Sequence, residues 1–157
     1  MATPNQVLAI AKKFVDDGYK EGPNNDTIFG NHAGAPNAPW CASFVWYCFD
    51  KAGAGTLIPK KFINCQTGLK WFATRNQLLA SDQAQPGDLV FFNFDNDATT
   101  TEHVGIVYIN PRGKELITFE GNTSKNGSQS NGDGCYKKKR PYGKIVGIGR
   151  PDWSKLL

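Results

Sequence analysis

The sequence has few of the residues that build disulfide-rich scaffolds or structural zinc sites. Its four cysteines (Cys41, Cys48, Cys65 and Cys135) are spread over 157 residues, and no two of them form a Cys-x-x-Cys pair. Such sparse cysteines in a chain of this length argue against a disulfide framework. The missing pair argues against a structural zinc site. Each cysteine is therefore either a core residue or a reactive thiol.

Long apolar runs and an export signal are also missing. No apolar run approaches the length that crosses a membrane. The first residues, Met-Ala-Thr-Pro-Asn-Gln, have neither the charged start nor the apolar core of a signal peptide. We therefore expect a protein that is made in a cytoplasm and stays there unless something releases it. We assign residues 1–157 to one domain, without repeats or linkers.

The charge is moderately basic, with a formal net charge of +4. Part of the excess lies in one run, Lys137-Lys138-Lys139-Arg140. Such a run is most often a solvated face, and it also suits an anionic partner. A nucleic-acid interface would need basic residues spread over one face with aromatic residues between them. Because the run is short and the other charges are mixed, we predict no nucleic-acid binding and no membrane binding, and we expect a monomer.

Hydrophobic spacing predicts helices in the first half of the chain and strands in the second. The predicted helices cover residues 4–17, 39–53 and about 65–76. The predicted strands cover residues 88–94, 103–109, 115–120 and 144–148. Residues 18–38, 95–102 and 121–135 are predicted loops. This order favours an α+β fold, with N-terminal helices packed on an antiparallel β-sheet.

The predicted helix over residues 39–53 carries the first candidate for chemistry. Pro39 suits its first turn, Gly53 suits its end, and apolar side chains surround it, which is typical of a buried helix. Cys41 lies in the first turn, where unpaired N–H groups and the helix dipole favour a thiolate. A buried core cysteine is the alternative. We assign Cys48 to the core, and Cys65 to the core or to a helix start.

Polar residues at the ends of two predicted strands provide partners for a thiolate. His103 begins the second strand, Glu120 ends the third, and Asn122 follows. An antiparallel turn at Asn110–Gly113 would place these ends at one sheet edge. A histidine can serve as base for a thiol, and a Glu or Asn on its other ring nitrogen would orient it. The alternative is a loop-end histidine beside a solvated carboxylate.

The long loop before the cysteine offers oxygen atoms for a hard cation. Asn24, Asn25 and Asp26 could contribute to a calcium site, but only one of them is a carboxylate. Local turn formation by Asn and Asp explains them better. We therefore predict no metal and no cofactor, with Asn24 and Asp26 as weak calcium candidates.

Four segments of the sequence resemble, in order, the motifs of one protein family. They are Ala38-Pro-Trp-Cys-Ala-Ser-Phe-Val, Gln85-Pro-Gly-Asp-Leu-Val-Phe-Phe, His103-Val-Gly-Ile-Val and Phe119-Glu-Gly-Asn. The family is that of CHAP domains, the cysteine, histidine-dependent amidohydrolase/peptidase modules of bacteriophage endolysins and bacterial cell-wall hydrolases. The resemblance spans roughly residues 5–150, nearly the whole chain.

The resemblance implies a papain-like fold and cleavage of amide bonds in peptidoglycan, as an N-acetylmuramoyl-L-alanine amidase or an endopeptidase. It implies Cys41 as the nucleophile, His103 as the general base, Glu120 as the orienting residue and Asn122 as a further polar member. Trp40 and Trp71 are candidates for lining the substrate groove, with a place in the aromatic core as the alternative. Some CHAP domains bind calcium before the cysteine through several aspartates, and this chain has one acid there.

The expected biology is that of a phage lysin. The missing export signal favours an enzyme made in the host cytoplasm that reaches the wall through a phage-made membrane pore. We expect no separate cell-wall-binding domain, and the run Lys137–Arg140 is a candidate for binding anionic wall polymers. Two alternatives stay open: a non-catalytic wall-binding module on the same fold, and a bacterial cysteine peptidase that remodels the wall.

Overall fold

A computed structural model describes residues 1–95, 97, 99–126 and 132–157. Positions 96, 98 and 127–131 fall in two of the predicted loops and lie outside the described residues. The helices are α1 (Pro4–Asp16), α2 (Ile28–Ala33), α3 (Cys41–Lys51) and α4 (Cys65–Thr74). None of the helices in the described part of the chain is long and apolar enough to cross a membrane.

Local capping explains where α1 begins and ends. The Thr3 hydroxyl accepts a hydrogen bond from the Gln6 backbone N–H, and the Gln6 side chain accepts one from the Thr3 N–H, which forms a capping box. Pro4 occupies the first turn, where its missing N–H costs nothing. Gly18 follows the helix with a φ of +68°, a left-handed conformation that glycine adopts without strain.

The short helix α2 corrects the prediction of a single loop over residues 18–38. The Thr27 hydroxyl caps it by accepting a hydrogen bond from the Gly30 N–H at 2.9 Å, and Gly34 ends it in the left-handed conformation. Phe29 is fully buried. Six residues are too few to show a helical period, which is why the sequence pattern missed this element.

Helix α3 is the central helix, as predicted, although it begins at Cys41 rather than at Pro39. Eight of its eleven residues are buried. Gly53 follows its end with a φ of +83°. The helix packs against α1 and α2 and against two strands of the sheet, so its first turn is held firmly in the interior.

The six strands form one antiparallel sheet in the order β1-β6-β2-β3-β4-β5. Their bounds are Leu78–Leu79, Leu89–Phe92, His103–Ile109, Glu115–Thr123, Gly134–Pro141 and Ile145–Gly149, numbered β1 to β6. The α+β prediction is confirmed, with four helices packed on this sheet. Successive residues of a strand face opposite sides of the sheet. Some strand residues therefore join the helices in the main core, and others form a second, smaller apolar cluster.

Strand β5 was not predicted, and it changes the interpretation of the basic run Lys137–Arg140. Lys137 and Lys139 are exposed, as expected for a solvated face, but Arg140 is only 3% exposed. The alternation of a strand turns the arginine towards the interior. A solvated face and a contact for an anionic partner, the two interpretations of the run, both require exposed side chains, and Arg140 does not meet this requirement.

Close packing between α3 and β4 depends on Gly121. A Cβ atom at this position would lie 2.7 Å from the Phe44 Cβ atom and 2.8 Å from the Trp40 ring. The two elements could not keep their present separation around a larger residue. Glu120 directly precedes Gly121 on β4, so this contact also determines the distance between α3 and the polar residues of β4.

We expect Gly121→Ala to lower the free energy of unfolding by about 1–3 kcal/mol, the usual cost of overpacking. Urea denaturation followed by circular dichroism measures the change. Gly113→Ala is the matched control, because a Cβ atom there would meet nothing within 4 Å. Equal stability of the two variants would contradict the tight contact between α3 and β4.

Candidate active site

The candidate nucleophile lies at the mouth of a small cavity. Cys41 is the first residue of α3 and is 6% exposed. The cavity has a volume of about 400 Å³. Its walls come from the segments that lead into α3 and α4, from the first residues of these helices and from the end of the loop before β3. The lining residues are Ala35, Ala38, Pro39, Cys41, Ile63, Asn64, Cys65, Gln66, Thr101 and Glu102.

His103 and Glu120 meet in the interior, as the antiparallel pairing of their strands predicts. His103 begins β3, and its Nε2 atom lies 2.8 Å from Glu120 Oε1. Both side chains are completely buried. Gly105 makes room for this pair, because a Cβ atom there would lie 2.7 Å from the Glu120 Cγ atom.

A fourth charged residue, Arg140 of β5, completes the group. Its Nε atom donates to Glu120 Oε2 at 2.8 Å, and its terminal nitrogen donates to Oε1 at 2.5 Å. The Thr118 hydroxyl donates to Oε2 at 2.5 Å. The guanidinium also lies over the rings of Phe92 and Phe94, at 5.3 and 4.9 Å. The carboxylate thus accepts hydrogen bonds at both oxygens, and Arg140 is fixed on both sides.

These contacts determine the charges of the pair. Burial alone would raise the pKa of Glu120, but the hydrogen bonds from Arg140 and His103 outweigh it and hold that pKa at about 2. Burial alone would lower the pKa of His103, but the interactions with Cys41 and Glu120 raise it to about 9. At neutral pH the carboxylate is therefore ionised and the imidazole is protonated.

The same group favours a thiolate at Cys41. The contact with Cys65 and the charge of the neighbouring His103 lower the pKa of the Cys41 thiol well below its usual value, against the opposing effect of burial. Burial raises the pKa of Cys48 and of Cys135 instead. Of these three cysteines, Cys41 is the one suited to nucleophilic attack.

The geometry also assigns the two nitrogens of the imidazole. Nε2 is hydrogen-bonded to Glu120, whereas Nδ1 has no hydrogen-bond partner of normal geometry among the residues that the structure describes, although the Cys41 thiol is near enough to raise the pKa of the ring. Nδ1 is therefore the nitrogen left for proton transfer to and from a reacting group. A thiolate, an imidazolium and an orienting carboxylate form the arrangement used in cysteine-dependent acyl transfer.

Comparison with protein families agrees with this chemistry. A family model described as the CHAP domain matches residues 33–122, more than half of the 157 residues. The chain belongs to the CHAP domain family. Membership implies a cysteine, histidine-dependent amidohydrolase or peptidase of the peptidoglycan-cleaving type, and the sheet with its four helices is consistent with the papain-like fold of that family. Searches of curated proteins and of solved structures found no match.

The matched segment of the CHAP domain contains Cys41, His103, Glu120 and Asn122, whereas Arg140 lies beyond it. The structure brings the first three into one group, and their catalytic roles stay predictions. Asn122 is buried on β4 with a left-handed φ of 55°. Within the described residues, neither side-chain atom of Asn122 has a hydrogen-bond partner. The structure therefore does not join Asn122 to His103 or Glu120 by a hydrogen bond, and its role also stays a prediction.

Trp40 does not line a substrate groove, so that prediction is wrong. Its ring is fully buried, stacks on Phe29 with the centroids 5.4 Å apart, and donates a hydrogen bond from Nε1 to Glu21. This is the core alternative for Trp40. Trp71 is half-buried beneath Arg75, whose guanidinium lies 3.9 Å from the ring centroid.

Trp71 belongs to a different cavity from Cys41. This second cavity has a volume of about 740 Å³ and is also lined by Trp46, His32 and Asp50. His32 lies on α2, and its Nε2 atom is 2.7 Å from a carboxylate oxygen of Asp50. A contact between Trp71 and substrate stays a prediction.

The calcium candidates of this CHAP domain form turns. Asn24 and Asn25 have left-handed φ values of 57° and 58°, and the Asn24 carbonyl accepts a hydrogen bond from Asn37. Asp26 accepts a long hydrogen bond from Asn31. The described residues contain no group of three or more His, Cys, Asp or Glu side chains that could hold a metal. The turns explain the conformation of Asn24 and Asn25, and the absence of calcium at Asn24 and Asp26 stays a prediction, as does the absence of a cofactor.

Two members of the site escaped sequence reasoning. Arg140 lies in a basic run, and only the alternation of β5 shows that it points inwards. Cys65 was assigned to the core or to a helix start, and its sulfur lies 3.5 Å from that of Cys41. The sequence did contain a signal for Cys65: Asn64 is a good helix-capping residue, and Cys65 directly after it begins α4.

We expect Glu120→Gln to raise the pH at which Cys41 becomes reactive. Without the carboxylate the pKa of His103 falls below about 9, and the imidazolium that stabilises the thiolate is lost more easily. The rate of Cys41 alkylation by iodoacetamide, followed against pH by peptide mass spectrometry, measures the shift. Glu115→Gln, an exposed change on the same strand, is the control. An unshifted midpoint in folded Glu120→Gln would contradict the arrangement.

We expect Arg140→Met to lower the free energy of unfolding at neutral pH by about 3–5 kcal/mol, the cost of leaving a buried charge without its partner. Arg140→Lys keeps the charge and should lose less. Lys139→Met, at the exposed neighbouring position, should stay within about 0.5 kcal/mol of the parent. Urea denaturation measures all three.

The acid side provides a second check on Arg140. The fold lowers the pKa of Glu120 from 4.5 to about 2. The ionised Glu120 therefore contributes its full stabilisation of the folded state above pH 4.5, and this stabilisation is lost as the pH falls through about 2. The difference between the parent and Arg140→Met should narrow over this interval. A constant difference would mean that Arg140 acts through packing alone.

Proposed function

We propose that this CHAP domain hydrolyses peptidoglycan, cutting an amide bond of the bacterial cell wall through a thioester at Cys41. The observation that carries the proposal is the buried group of Cys41, His103 and Glu120 beside an open cavity, in which the low pKa of the thiol and the high pKa of the imidazole favour an ion pair. This is the charge state that a thiol nucleophile needs.

The proposed reaction begins with attack of the Cys41 sulfur on the carbonyl carbon of a stem-peptide or cross-bridge amide. The backbone N–H at Cys41, in the first turn of α3, helps to hold the oxyanion. The protonated Nδ1 atom of His103 donates its proton to the leaving amine. The neutral imidazole then takes a proton from water, which attacks the thioester and releases the acid and the free thiolate.

Glu120 keeps the imidazole in place throughout this cycle. Its hydrogen bond to Nε2 directs Nδ1 away from the carboxylate and stabilises the imidazolium before amine departure. Arg140 and Thr118 hold the carboxylate oxygens, so the imidazole orientation depends on residues of three neighbouring strands. Arg140 is therefore a positioning residue.

The finer parts of the proposal concern the bond and the biology. The enzyme acts as an N-acetylmuramoyl-L-alanine amidase or as an endopeptidase, because both cleavages use the same residues. Its motifs resemble those of phage endolysins, so we propose that it acts on the wall after release through a phage-made membrane pore. Anionic wall polymers would contact the exposed Lys137 and Lys139, since Arg140 is buried.

We expect the purified protein to digest peptidoglycan and Cys41→Ala to leave it intact. Cys48→Ala is the matched control, because Cys48 lies two turns further along α3 in the core and should be dispensable for the chemistry. Mass spectrometry of the products identifies the new termini. A free L-alanine amine together with a free lactyl carboxylate indicates an amidase, and a cut within the peptide or bridge indicates an endopeptidase.

Two outcomes would contradict the proposed function. Equal digestion by the parent and by Cys41→Ala would remove Cys41 from the mechanism. Binding of the folded parent to walls from several species, without any digestion, would favour a non-catalytic wall-binding module on this fold.

A further inference from the structure

A second thiol lies beside the nucleophile. The Sγ atoms of Cys41 and Cys65 are 3.5 Å apart, and both residues line the cavity of about 400 Å³. Cys41 begins α3 and Cys65 begins α4, so two separate helices bring the sulfurs together. Cys41 and Cys65 are 6% and 8% exposed, with the cavity as their access to small molecules.

We propose that Cys41 and Cys65 are a redox modification site, in which a hydroperoxide oxidises Cys41 and Cys65 then closes a reversible disulfide with it. A disulfide sulfur pair is about 2.0 Å apart, so the two sulfurs must approach each other by about 1.5 Å. Both belong to the first turns of their helices, at the border between the core and the cavity.

The chemistry balances in two steps. The Cys41 thiolate attacks one oxygen of hydrogen peroxide, which forms Cys41 sulfenic acid and releases hydroxide. The Cys65 sulfur then attacks the Cys41 sulfur, and the S–O bond breaks as the S–S bond forms. The hydroxide of the first step takes up the proton that the Cys41 thiol lost on ionising, and the hydroxide that leaves the Cys41 sulfur in the second step takes up the proton lost by Cys65. Two thiols are oxidised by two electrons, and one peroxide is reduced to two molecules of water.

The environment divides the roles between the two thiols. Cys41 has the lowered pKa and is therefore the thiolate that meets the peroxide first. The neighbouring Cys41 is the main cause that raises the pKa of Cys65, ahead of burial. Cys41 acts on Cys65 first through their hydrogen bond and then through the charge of its thiolate. Once Cys41 has become a neutral sulfenic acid, the charge is gone, and the start of α4 favours a thiolate at Cys65. Cys48 and Cys135 lie in the core with raised pKa values.

The consequence for activity rests on the proposed function, whereas the disulfide does not. If Cys41 is the nucleophile, the disulfide stops peptidoglycan hydrolysis and a dithiol reductant restores it. Without Cys65, the sulfenic acid would instead proceed to sulfinic acid, which such a reductant does not reverse. Cys65 would therefore protect the site from permanent oxidation.

The direct test is peptide mapping after exposure to hydrogen peroxide and blocking of the remaining thiols. Trypsin cuts after Lys and Arg, so Cys41 and Cys48 share one peptide, 21–51, while Cys65 lies in peptide 62–70. The double variant Cys48→Ala/Cys135→Ala removes this ambiguity and keeps both cavity thiols. We expect a cross-linked peptide pair that is lighter than its two thiol parts by two hydrogen atoms, in both proteins.

Activity after peroxide provides the second readout. The parent and the double variant should lose peptidoglycan digestion and recover it with dithiothreitol. Cys65→Ser and Cys65→Ala, each compared with its own reduced activity, should lose activity without recovery and carry two added oxygen atoms on Cys41. Agreement of the two substitutions separates the loss of the thiol from a folding defect.

The outcomes separate the two proposals. Formation of Cys41 sulfinic acid in the parent, or a cross-link that involves Cys48 or Cys135, would overturn the redox site. A Cys41–Cys65 cross-link in a protein that never digests peptidoglycan when reduced would contradict the proposed function and leave the redox site standing.

Discussion

The structure depends on keeping one carboxylate charged in the interior. Glu120 is completely buried, and an unpaired ion there would cost several kcal/mol. Arg140, Thr118 and His103 occupy its two oxygens, so the charge is retained. This requirement explains why the edge strand β5 delivers an inward arginine. It also explains why β3 carries a glycine, Gly105, where a Cβ atom would lie 2.7 Å from the Glu120 Cγ atom.

The charges of the site alternate along a chain of four residues. The Cys41 thiolate, the His103 imidazolium, the Glu120 carboxylate and the Arg140 guanidinium sum to zero, although each is buried. A group of three would leave a net negative charge in the interior, and neutralising the imidazole or the carboxylate would then be favourable. Arg140 therefore supports the thiolate indirectly, by keeping Glu120 ionised and His103 protonated.

Sequence periodicity predicted the elements that carry the site, because these elements are long and mostly buried. Helix α3 and strands β3 and β4 came from their apolar patterns, and the turn between the strands predicted the meeting of His103 and Glu120. Strand β5 was missed because its middle is a run of four basic residues, Lys137 to Arg140, in which the exposed and the buried positions carry the same kind of side chain. Arg140 and Trp40 were misjudged because composition does not tell which way a side chain faces. The contact between Cys41 and Cys65 depends on how α4 packs against α3, and no local sequence pattern predicts that packing.

The two helix starts at the cavity have a common electrostatic effect. Helices α3 and α4 both begin at its wall, so the unpaired N–H groups of two first turns surround the same small space. Their dipoles favour negative charge, whether on a thiolate or on the oxyanion of a tetrahedral intermediate. The same field that prepares Cys41 for attack on a carbonyl also prepares it for attack on a peroxide. A second cysteine at the start of α4 is therefore placed where an oxidised nucleophile can be recovered, and reactivity and protection arise from one arrangement of helices.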